Sequence, residues 1–256
     1  MNIALIQASL IWENPDANRN YFEDKINVIN DTVDLIVLPE MFTTGFTMNP
    51  SAVAETMTGK TVSWMQALAK AKNTAITGSV VIEENNHFYN RMLFVFPSGE
   101  IQFYDKRHLF TLAGEDKVYK AGKDKLVVDY KGWKICPFVC YDLRFPVFSR
   151  NVHQQYDLLL YVASWPKIRT KAWDTLLTAR AIENMSYVVG VNRIGVDANA
   201  YEYIGHSQVV DMLGEYLVAP LESEGIYSAT LNREKLIETR TKLNFLNDQD
   251  AFEIKN

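Results

Sequence analysis

The sequence predicts a layered α/β fold. Apolar runs of strand length alternate with stretches of helical periodicity, and three hairpin patterns interrupt this alternation. Of the 256 residues, 48% are apolar, which is enough to bury a sizeable core. We therefore expect largely apolar sheets that are covered by helices on their outer faces.

The first third of the chain predicts a β-α-β unit followed by a second helix and strand. The apolar runs at 2–10 and 34–40 predict buried strands, and a helix between them places Phe22, Ile26 and Ile29 on one face. A second helix over about 61–72, with Val62, Met65 and Ala69 in step, leads into the strand at 75–84.

Hairpins and a second helical unit fill the rest of the chain. Residues 87–106 predict a hairpin that turns at 97–99, and residues 125–140 predict another that turns at 131–132. The later elements are a strand at 156–164, a helix at 170–185, a strand at 186–195 and a hairpin at 206–220. The segment 231–256 is expected to form a helix and tail that either cover the core or reach a partner.

Composition restricts the class of protein. No linker, low-complexity segment or repeat divides the sequence, so we expect one domain over 1–256. The net charge is −5 without a basic patch, which argues against a nucleic-acid partner. The N-terminal residues lack a cationic signal region, and no apolar run approaches the roughly 18 residues of a membrane span, so we expect a cytoplasmic protein without membrane contact. Two cysteines are too few for a disulfide framework or a zinc site.

Three reactive side chains follow predicted buried strands. Cys140 comes after the run "KICPFV", Glu40 ends "DLIVLPE", and Lys106 follows "IQFYD". Ligand crevices of α/β sheets form at strand ends, and a thiolate attacks carbonyls and nitriles when nearby groups activate it. Taken singly, Cys140 fits a buried strand cysteine, as Cys136 does, and each charge fits solvated surface. The three together indicate a catalytic site.

The same residues carry a family resemblance. The segments "LPE" (38–40), "YDKRHLF" (104–110) and "VCYDLRFP" (139–146), in this order and spacing, resemble the Glu, Lys and Cys motifs of the nitrilase superfamily of carbon-nitrogen hydrolases. The resemblance covers nearly the whole chain, and "ASWPKIRTKAW" with "LTARAIEN" is similar to the bacterial omega-amidase branch. Val147 stands where many family members have Glu, a departure that leaves the three motifs intact.

The resemblance implies a role for each motif residue. Glu40 is expected as general base, Lys106 as the cation that stabilises the tetrahedral intermediate, and Cys140 as nucleophile. Glu115 matches a second glutamate that holds Lys106, and the backbone N–H of Tyr141 is expected to bind the oxyanion. No cofactor or metal is expected. The family's architecture is a four-layer α-β-β-α sandwich, and a homodimer is implied.

The omega-amidase likeness also implies a substrate, namely a short dicarboxylate monoamide such as 2-oxoglutaramate. Arg169 is our candidate for its distal carboxylate, because a guanidinium binds a carboxylate through two hydrogen bonds. Phe46, Phe138 and Trp165 are expected to wall the pocket, although each also fits an ordinary core position.

A second group of residues is expected to support the site. Asp142 and Arg144 are expected to pair or to cap the turn at Cys140, Glu183 to buttress it, and His108 to be structural.

Other functions remain open within and outside the family. The same residues serve hydrolysis of a deaminated peptide amide, an N-carbamoyl amino acid or a nitrile, because all proceed through related thioester or thioimidate intermediates. A noncatalytic binding member of the fold would have no need for all three motif residues. A thiol protease and a metal hydrolase are disfavoured, since neither the Cys and His signatures nor paired metal-binding histidines are present.

Overall fold

The computed structural model describes residues 1–30 and 32–254, and within them lie six α-helices and fourteen strands. The helices are α1 (Pro15–Asn27), α2 (Pro50–Val53), α3 (Lys60–Lys72), α4 (Pro146–Ser149), α5 (Thr170–Glu183) and α6 (Arg233–Leu243). The strands are β1 (Asn2–Gln7), β2 (Leu35–Val37), β3 (Ala75–Glu84), β4 (His87–Val95), β5 (Ile101–Asp105), β6 (Val128–Tyr130), β7 (Trp133–Val139), β8 (Leu158–Ala163), β9 (Tyr187–Asn192), β10 (Ile194–Val196), β11 (Glu202–Ile204), β12 (Gln208–Val210), β13 (Tyr216–Val218) and β14 (Gly225–Thr230). Among these helices none is long and apolar enough to span a bilayer.

Two six-stranded sheets form the centre of the molecule. The first has the order β14-β1-β2-β3-β4-β5 and the second the order β13-β12-β9-β8-β7-β6. In each sheet three neighbouring strands run parallel, β1, β2 and β3 in the first and β7, β8 and β9 in the second, with antiparallel strands on both sides. β10 and β11 form a separate two-stranded hairpin.

Side chains of the parallel strands point alternately to the two faces of each sheet, and apolar residues on both faces explain why the sheets stack. In β1, Ile3 and Leu5 pack in the core shared with the second sheet, whereas Ala4 and Ile6 pack in the cluster that contains residues of α1 and α3. Because successive side chains of a strand point to opposite faces, each central strand is apolar on both sides.

A helix also covers the outer face of the second sheet. Trp173, Leu177 and Ala181 of α5 are fully buried against it. Gly190 in β9 allows this close approach, since a Cβ at that position would lie 2.4 Å from Leu177 Cδ1. The result is the predicted four-layer α-β-β-α sandwich, so the fold prediction is confirmed.

The element predictions differ from the structure in several places. The strands expected over 2–10 and 34–40 end at Gln7 and Val37, and α2, α4 and β11 are not among the predicted elements. The strand expected over 186–195 divides at Arg193 into β9 and β10, which belong to different sheets. β14 is also absent from the predicted elements; four of its six residues are partly buried and two are exposed, because it is the edge strand that pairs with β1. The C-terminal helix α6 packs on the core through the buried Leu236.

Candidate active site

A strained turn at the end of β7 presents Cys140. The residue has a φ of +46°, a conformation that non-glycine residues rarely adopt, and begins a 3-10 helix over Cys140–Arg144. The side chain is partly exposed. The chain thus passes directly from a buried parallel strand to a helical turn, and the thiol lies at this junction.

Asp142 holds the turn in place. Its carboxylate accepts hydrogen bonds from the backbone N–H of Val139 at 3.0 Å, from the Tyr104 hydroxyl at 2.8 Å and from the backbone N–H of His108 at 3.0 Å. The His108 ring contacts the same carboxylate at 2.7 Å and stacks on Phe145 with ring centroids 3.8 Å apart. Asp142 therefore caps the turn, and His108 has the structural position that the sequence analysis gave it.

A fully buried cluster of charges lies beside the thiol. The Lys106 ammonium donates to Glu40 Oε1 at 3.1 Å and to Glu115 Oε2 at 2.9 Å. Glu40 also accepts hydrogen bonds from Asn90 Nδ2 at 2.8 Å and from the backbone N–H of Ser164 at 2.7 Å. Each charge is thus held by several partners, as a charge in a dry interior requires.

The Glu115 carboxylate is anchored separately by the backbone N–H of Phe110, which donates to it at 2.6 Å. Glu115 begins a short 3-10 helix, Glu115–Lys117, on the loop that follows β5. The loop thus brings the second carboxylate to Lys106, which directly follows that strand.

The environment shifts the pKa values of these groups. Burial alone would lower the pKa of Lys106, but the charges of Glu115 and Glu40 outweigh burial and raise it, so the ammonium stays charged. Burial raises the pKa of Glu115, and Lys106 opposes this effect. Burial and then the Glu40 carboxylate raise the pKa of the Cys140 thiol well above its ordinary value. The resting site therefore pairs a neutral thiol with a carboxylate that is able to accept its proton.

A cavity of about 660 Å³ opens above Cys140. Its walls contain four of the predicted residues, namely Phe46, Tyr141, Trp165 and Arg169. The further lining residues are Trp12, Glu13, Thr47, Met48, Asn49, Phe110, Leu112, Ala113, Arg144, Ser164, Pro166, Asp197, Asn199, Tyr201 and Tyr203. This volume suits a small organic ligand.

Two arginines, Arg144 and Arg169, line the cavity. Among the described residues, neither has an ion-pair partner within 4.0 Å. The guanidinium of Arg169 lies 5.3 Å from the ring centroid of Phe110, and that of Arg144 lies 4.8 Å from the ring centroid of Trp165. Arg144 was expected to pair or cap the turn, but it lines the cavity instead. The stacking leaves the N–H groups at the guanidinium edges able to bind an anion.

Phe138 does not wall the cavity, so this prediction is wrong. The residue is fully buried, and its ring lies 5.5 Å from the rings of Tyr104 and Tyr161. Its side chain belongs to the core between the two sheets, where a large apolar ring gains most from burial.

Support for the turn comes from α5. Glu183 pairs with Arg180 at 2.9 Å, and Arg180 donates to the backbone carbonyl of Leu143 at 2.6 Å, within the 3-10 helix that Cys140 begins. Glu183 thus buttresses the site through Arg180, in keeping with the expectation.

Sequence reasoning missed Asn90, Ser164 and the walls formed by Asp197 and Tyr203. Asn90 had one signal, an amide that, with Arg91, interrupts the apolar and aromatic strand "FYNRMLFV". Ser164 acts through its backbone N–H, which no side-chain pattern reveals. The β10–β11 hairpin brings Asp197 and Tyr203 to the cavity, and only the tertiary fold determines that position.

Fold and site together define a class of protein, a carbon-nitrogen hydrolase with a cysteine in its site. Residues 2–241 match the family model described as carbon-nitrogen hydrolase, and the chain belongs to this family. The chain is 44% identical to "Omega-amidase YafV" of Escherichia coli (strain K12), over 99% of this chain and 98% of that protein. It is 32% identical to "2-oxoglutaramate amidase" of Bacillus subtilis (strain 168), over 96% of both chains.

A solved structure has the same fold throughout. It is that of XC1258 from Xanthomonas campestris, described as a CN-hydrolase superfamily protein with an arsenic adduct in the active site. The two chains superpose with a TM-score of 0.98 at 43% identity, over 100% of this chain and 99% of that one.

Proposed function

We propose that the protein is a thiol-dependent omega-amidase, which hydrolyses the terminal amide of a short dicarboxylate monoamide to the acid and ammonia. The observation that carries this proposal is the contact of the Cys140 site with the buried cluster of Glu40, Lys106 and Glu115. Relatives named omega-amidase and 2-oxoglutaramate amidase, at 44% and 32% identity over nearly the full length, support the substrate class.

The first half of the reaction forms a thioester. Glu40 accepts the thiol proton as Cys140 Sγ attacks the amide carbonyl, and the carbonyl oxygen becomes an oxyanion. The Lys106 ammonium stabilises that charge together with the backbone N–H of Tyr141, which lies in the first turn of a helix, where N–H groups have no partner within the helix. Glu40 then returns its proton to the nitrogen, the C–N bond breaks and ammonia leaves.

The second half releases the acid. Glu40, again a carboxylate, takes a proton from water as the water oxygen attacks the thioester carbonyl. The C–S bond of the resulting tetrahedral intermediate breaks, and the sulfur recovers its proton from Glu40. Glu115 accepts a hydrogen bond from Lys106 at 2.9 Å and holds the ammonium near both intermediates.

The proposed substrate has a distal carboxylate, and arginines that line the cavity can bind this group. Arg169 is the proposed partner of that group, and Arg144 brings a second guanidinium to the same cavity. Neither has an ion-pair partner within 4.0 Å in the described part of the chain, so both can accept a ligand carboxylate.

Ammonia release tests the proposal. We expect the wild type to release ammonia from 2-oxoglutaramate and succinamate much faster than from a simple aliphatic nitrile or an N-carbamoyl amino acid. Cys140→Ala should abolish release. Cys136→Ala is the matched control, because Cys136 is fully buried four residues earlier in β7 and should leave activity nearly intact. Full activity of Cys140→Ala would refute the assignment of the nucleophile.

The proposal includes one domain over 1–256, a homodimer and a cytoplasmic location, as family likeness implies. An apolar patch on the outer face supports self-association, since Ile182 on α5 and Leu213 in the β12–β13 turn are each 48% exposed. A Cβ at Gly214 would lie 2.9 Å from Ile182 Cδ1, so the two elements are neighbours. Light scattering of the wild type and of Ile182→Glu tests the dimer, which the substitution should weaken if this face is the interface.

A further inference from the structure

Arg193 is a buried cation without a partner for its charge. The side chain is fully buried, and both η nitrogens are inaccessible to solvent and lack a hydrogen-bond partner among residues 1–30 and 32–254. Its Nε donates to the backbone carbonyl of Ile194 at 3.3 Å, and no carboxylate of those residues lies within 4.0 Å. Burial lowers the pKa of Arg193, against a smaller effect of Tyr203 and Asp197.

A buried guanidinium without a partner lowers the free energy of unfolding. A buried polar atom normally has a hydrogen-bond partner, and an unpaired buried charge is still less favourable. Replacing a poorly compensated buried charge by an apolar side chain of similar volume is often neutral or stabilising. Packing alone therefore does not explain an arginine at this position.

The position of Arg193 in the sheet connects it to the active site. Cys140, Ser164 and Arg193 directly follow β7, β8 and β9, three adjacent parallel strands whose carboxyl ends share one edge. Two strand spacings, about 10 Å in total, separate β7 from β9. The guanidinium lies 4.6 Å from the ring centroid of Tyr203, which lines the cavity, so Arg193 contacts a residue of the cavity wall without lining the cavity itself.

The charged residues around the cavity show why a further positive charge from Arg193 matters for an anionic substrate. The wall contains two cations, Arg144 and Arg169, and two anions, Glu13 and Asp197. Beneath it, the single cation Lys106 faces two carboxyl groups, those of Glu40 and Glu115. Arg193 thus adds a positive charge near a site in which the acidic groups, Glu13, Asp197, Glu40 and Glu115, outnumber the cations Arg144, Arg169 and Lys106.

Asp197 lies at the hydroxyl of the same tyrosine. The Tyr203 hydroxyl donates to Asp197 at 2.7 Å, and the backbone N–H groups of Asn199 and Tyr201 donate to it at 2.9 and 3.0 Å. Tyr203 is thus held between the guanidinium of Arg193, under its ring, and the carboxylate at its hydroxyl. Asp197 and Arg193 interact beyond ion-pair distance, so removal of the cation would make this part of the cavity wall more negative.

We propose that Arg193 is a specificity-determining residue, whose buried charge makes the cavity accept amides that carry a second, anionic group. The residue acts through the Tyr203 wall and does not touch the substrate. This inference rests on the amidase function proposed above, and it assigns part of the substrate preference to a residue outside the cavity.

The test compares two substrates of similar size, succinamate, which is anionic, and its methyl ester, which is neutral. In Arg193→Met the ratio of kcat/KM for succinamate to kcat/KM for the ester should fall about tenfold, the effect of one unit charge at about 10 Å and an effective dielectric constant of about 20. Arg193→Lys keeps the charge and should change the ratio less than about threefold. Arg193→Met/Asp197→Asn removes one charge of each sign and should restore most of the ratio.

A stability measurement separates this role from a merely structural one. Arg193→Met should melt at or above the temperature of the wild type, because it removes a poorly compensated buried charge. An unfolded or clearly destabilised Arg193→Met would overturn the proposal, as would equal losses on both substrates.

Calorimetric titration with succinate covers the case in which the wild type hydrolyses neither amide. The amidase function would then be wrong, and a tenfold weaker binding of succinate by Arg193→Met would still support the role of Arg193. Unchanged succinate binding would overturn it.

Discussion

The Lys106 ammonium lies 3.1 Å from the Glu40 carboxylate, and both side chains are fully excluded from solvent. Lys106 also donates a hydrogen bond to Glu115, so one cation forms ion pairs with two carboxylates. A single positive charge faces both carboxyl groups, and burial, followed by the charge of Glu40, raises the pKa of the Cys140 thiol beside them. The proposed base, Glu40, therefore lies next to the neutral thiol of Cys140, and the first step of amide attack requires this arrangement.

Replacement of the cation should destabilise the fold in a pH-dependent way. Lys106→Met leaves two buried carboxylates facing each other and should lower the free energy of unfolding by about 3–5 kcal/mol at pH 7.5. Without Lys106, which opposes the effect of burial, the folded-state pKa of Glu115 rises further above its unfolded value of about 4.3. Such a group favours folding below the unfolded pKa, and this contribution is lost as pH rises through the folded pKa.

The deficit of Lys106→Met relative to the wild type should therefore be smaller at pH 5.5 than at pH 7.5, as urea unfolding will measure. Lys70→Met, an exposed position on α3, is the control and should stay close to the wild type at both values. A deficit that does not depend on pH would contradict the coupling of the three groups.

Substitution of the base should change thiol reactivity and turnover in opposite directions. In Glu40→Gln the carboxylate that raises the pKa of Cys140 is gone while Lys106 remains, so the thiolate fraction at neutral pH should increase. Alkylation by iodoacetamide should then be faster than in the wild type, whose rate at pH 7.5 should be below that of a free cysteine and should still rise beyond pH 9. Ammonia release should fall by about 10²–10⁴-fold.

The alkylation site is read by mass spectrometry in wild type, Glu40→Gln and Cys140→Ala. Glu83→Gln, an exposed glutamate of β3, controls for the loss of a carboxylate elsewhere. Slower alkylation in Glu40→Gln would mean that Glu40 activates the thiol even for this reagent, and the predicted direction would be wrong.

The turn at Cys140 should depend on the charge of Asp142. In Asp142→Asn one amide oxygen replaces two carboxylate oxygens that serve Val139, Tyr104 and His108. We expect a loss of about 1–3 kcal/mol of stability, because buried donors lose an acceptor, together with a clear fall in kcat. Asp129→Asn, exposed on β6, is the control. Wild-type kcat in a destabilised Asp142→Asn would show that this carboxylate does not aim the thiol.

Much of this site follows from the sequence, because its reactive groups come directly after apolar strands. Cys140 and Lys106 are the first residues after β7 and β5. The run before Cys140 is buried, whereas β5 is a partly exposed edge strand. The two strands belong to different sheets, so the stacking of the sheets explains why these positions meet. The family motifs add the roles that spacing alone does not assign.

Other parts of the site depend on contacts that one-dimensional patterns do not encode. Phe138 and Phe46 are both aromatic and close to strands, yet one fills the core between the sheets and the other lines the cavity. The direction of Arg144 is set by the 3-10 turn, which places its guanidinium on Trp165 rather than beside Asp142. Edge strand β14 lacks a clear apolar period, because it is only partly buried.

Arg169 should determine the affinity for the distal carboxylate. The side chain lies over Phe110 in the cavity wall, and its backbone carbonyl accepts a hydrogen bond from Trp165 Nε1 at 2.8 Å, a contact that survives a side-chain change. A charge-assisted hydrogen bond contributes about 1.5–3 kcal/mol, so Arg169→Leu should raise KM for succinamate at least about tenfold and change kcat much less. Lys167→Leu is the control, because Lys167 and Arg169 share the short 3-10 helix Lys167–Arg169. The exposed pair of Lys167 with Glu202 contributes little, and KM should change less than about threefold. If Arg144→Leu raised KM and Arg169→Leu did not, the carboxylate would be bound on the Trp165 side of the cavity, and the assignment to Arg169 would be wrong.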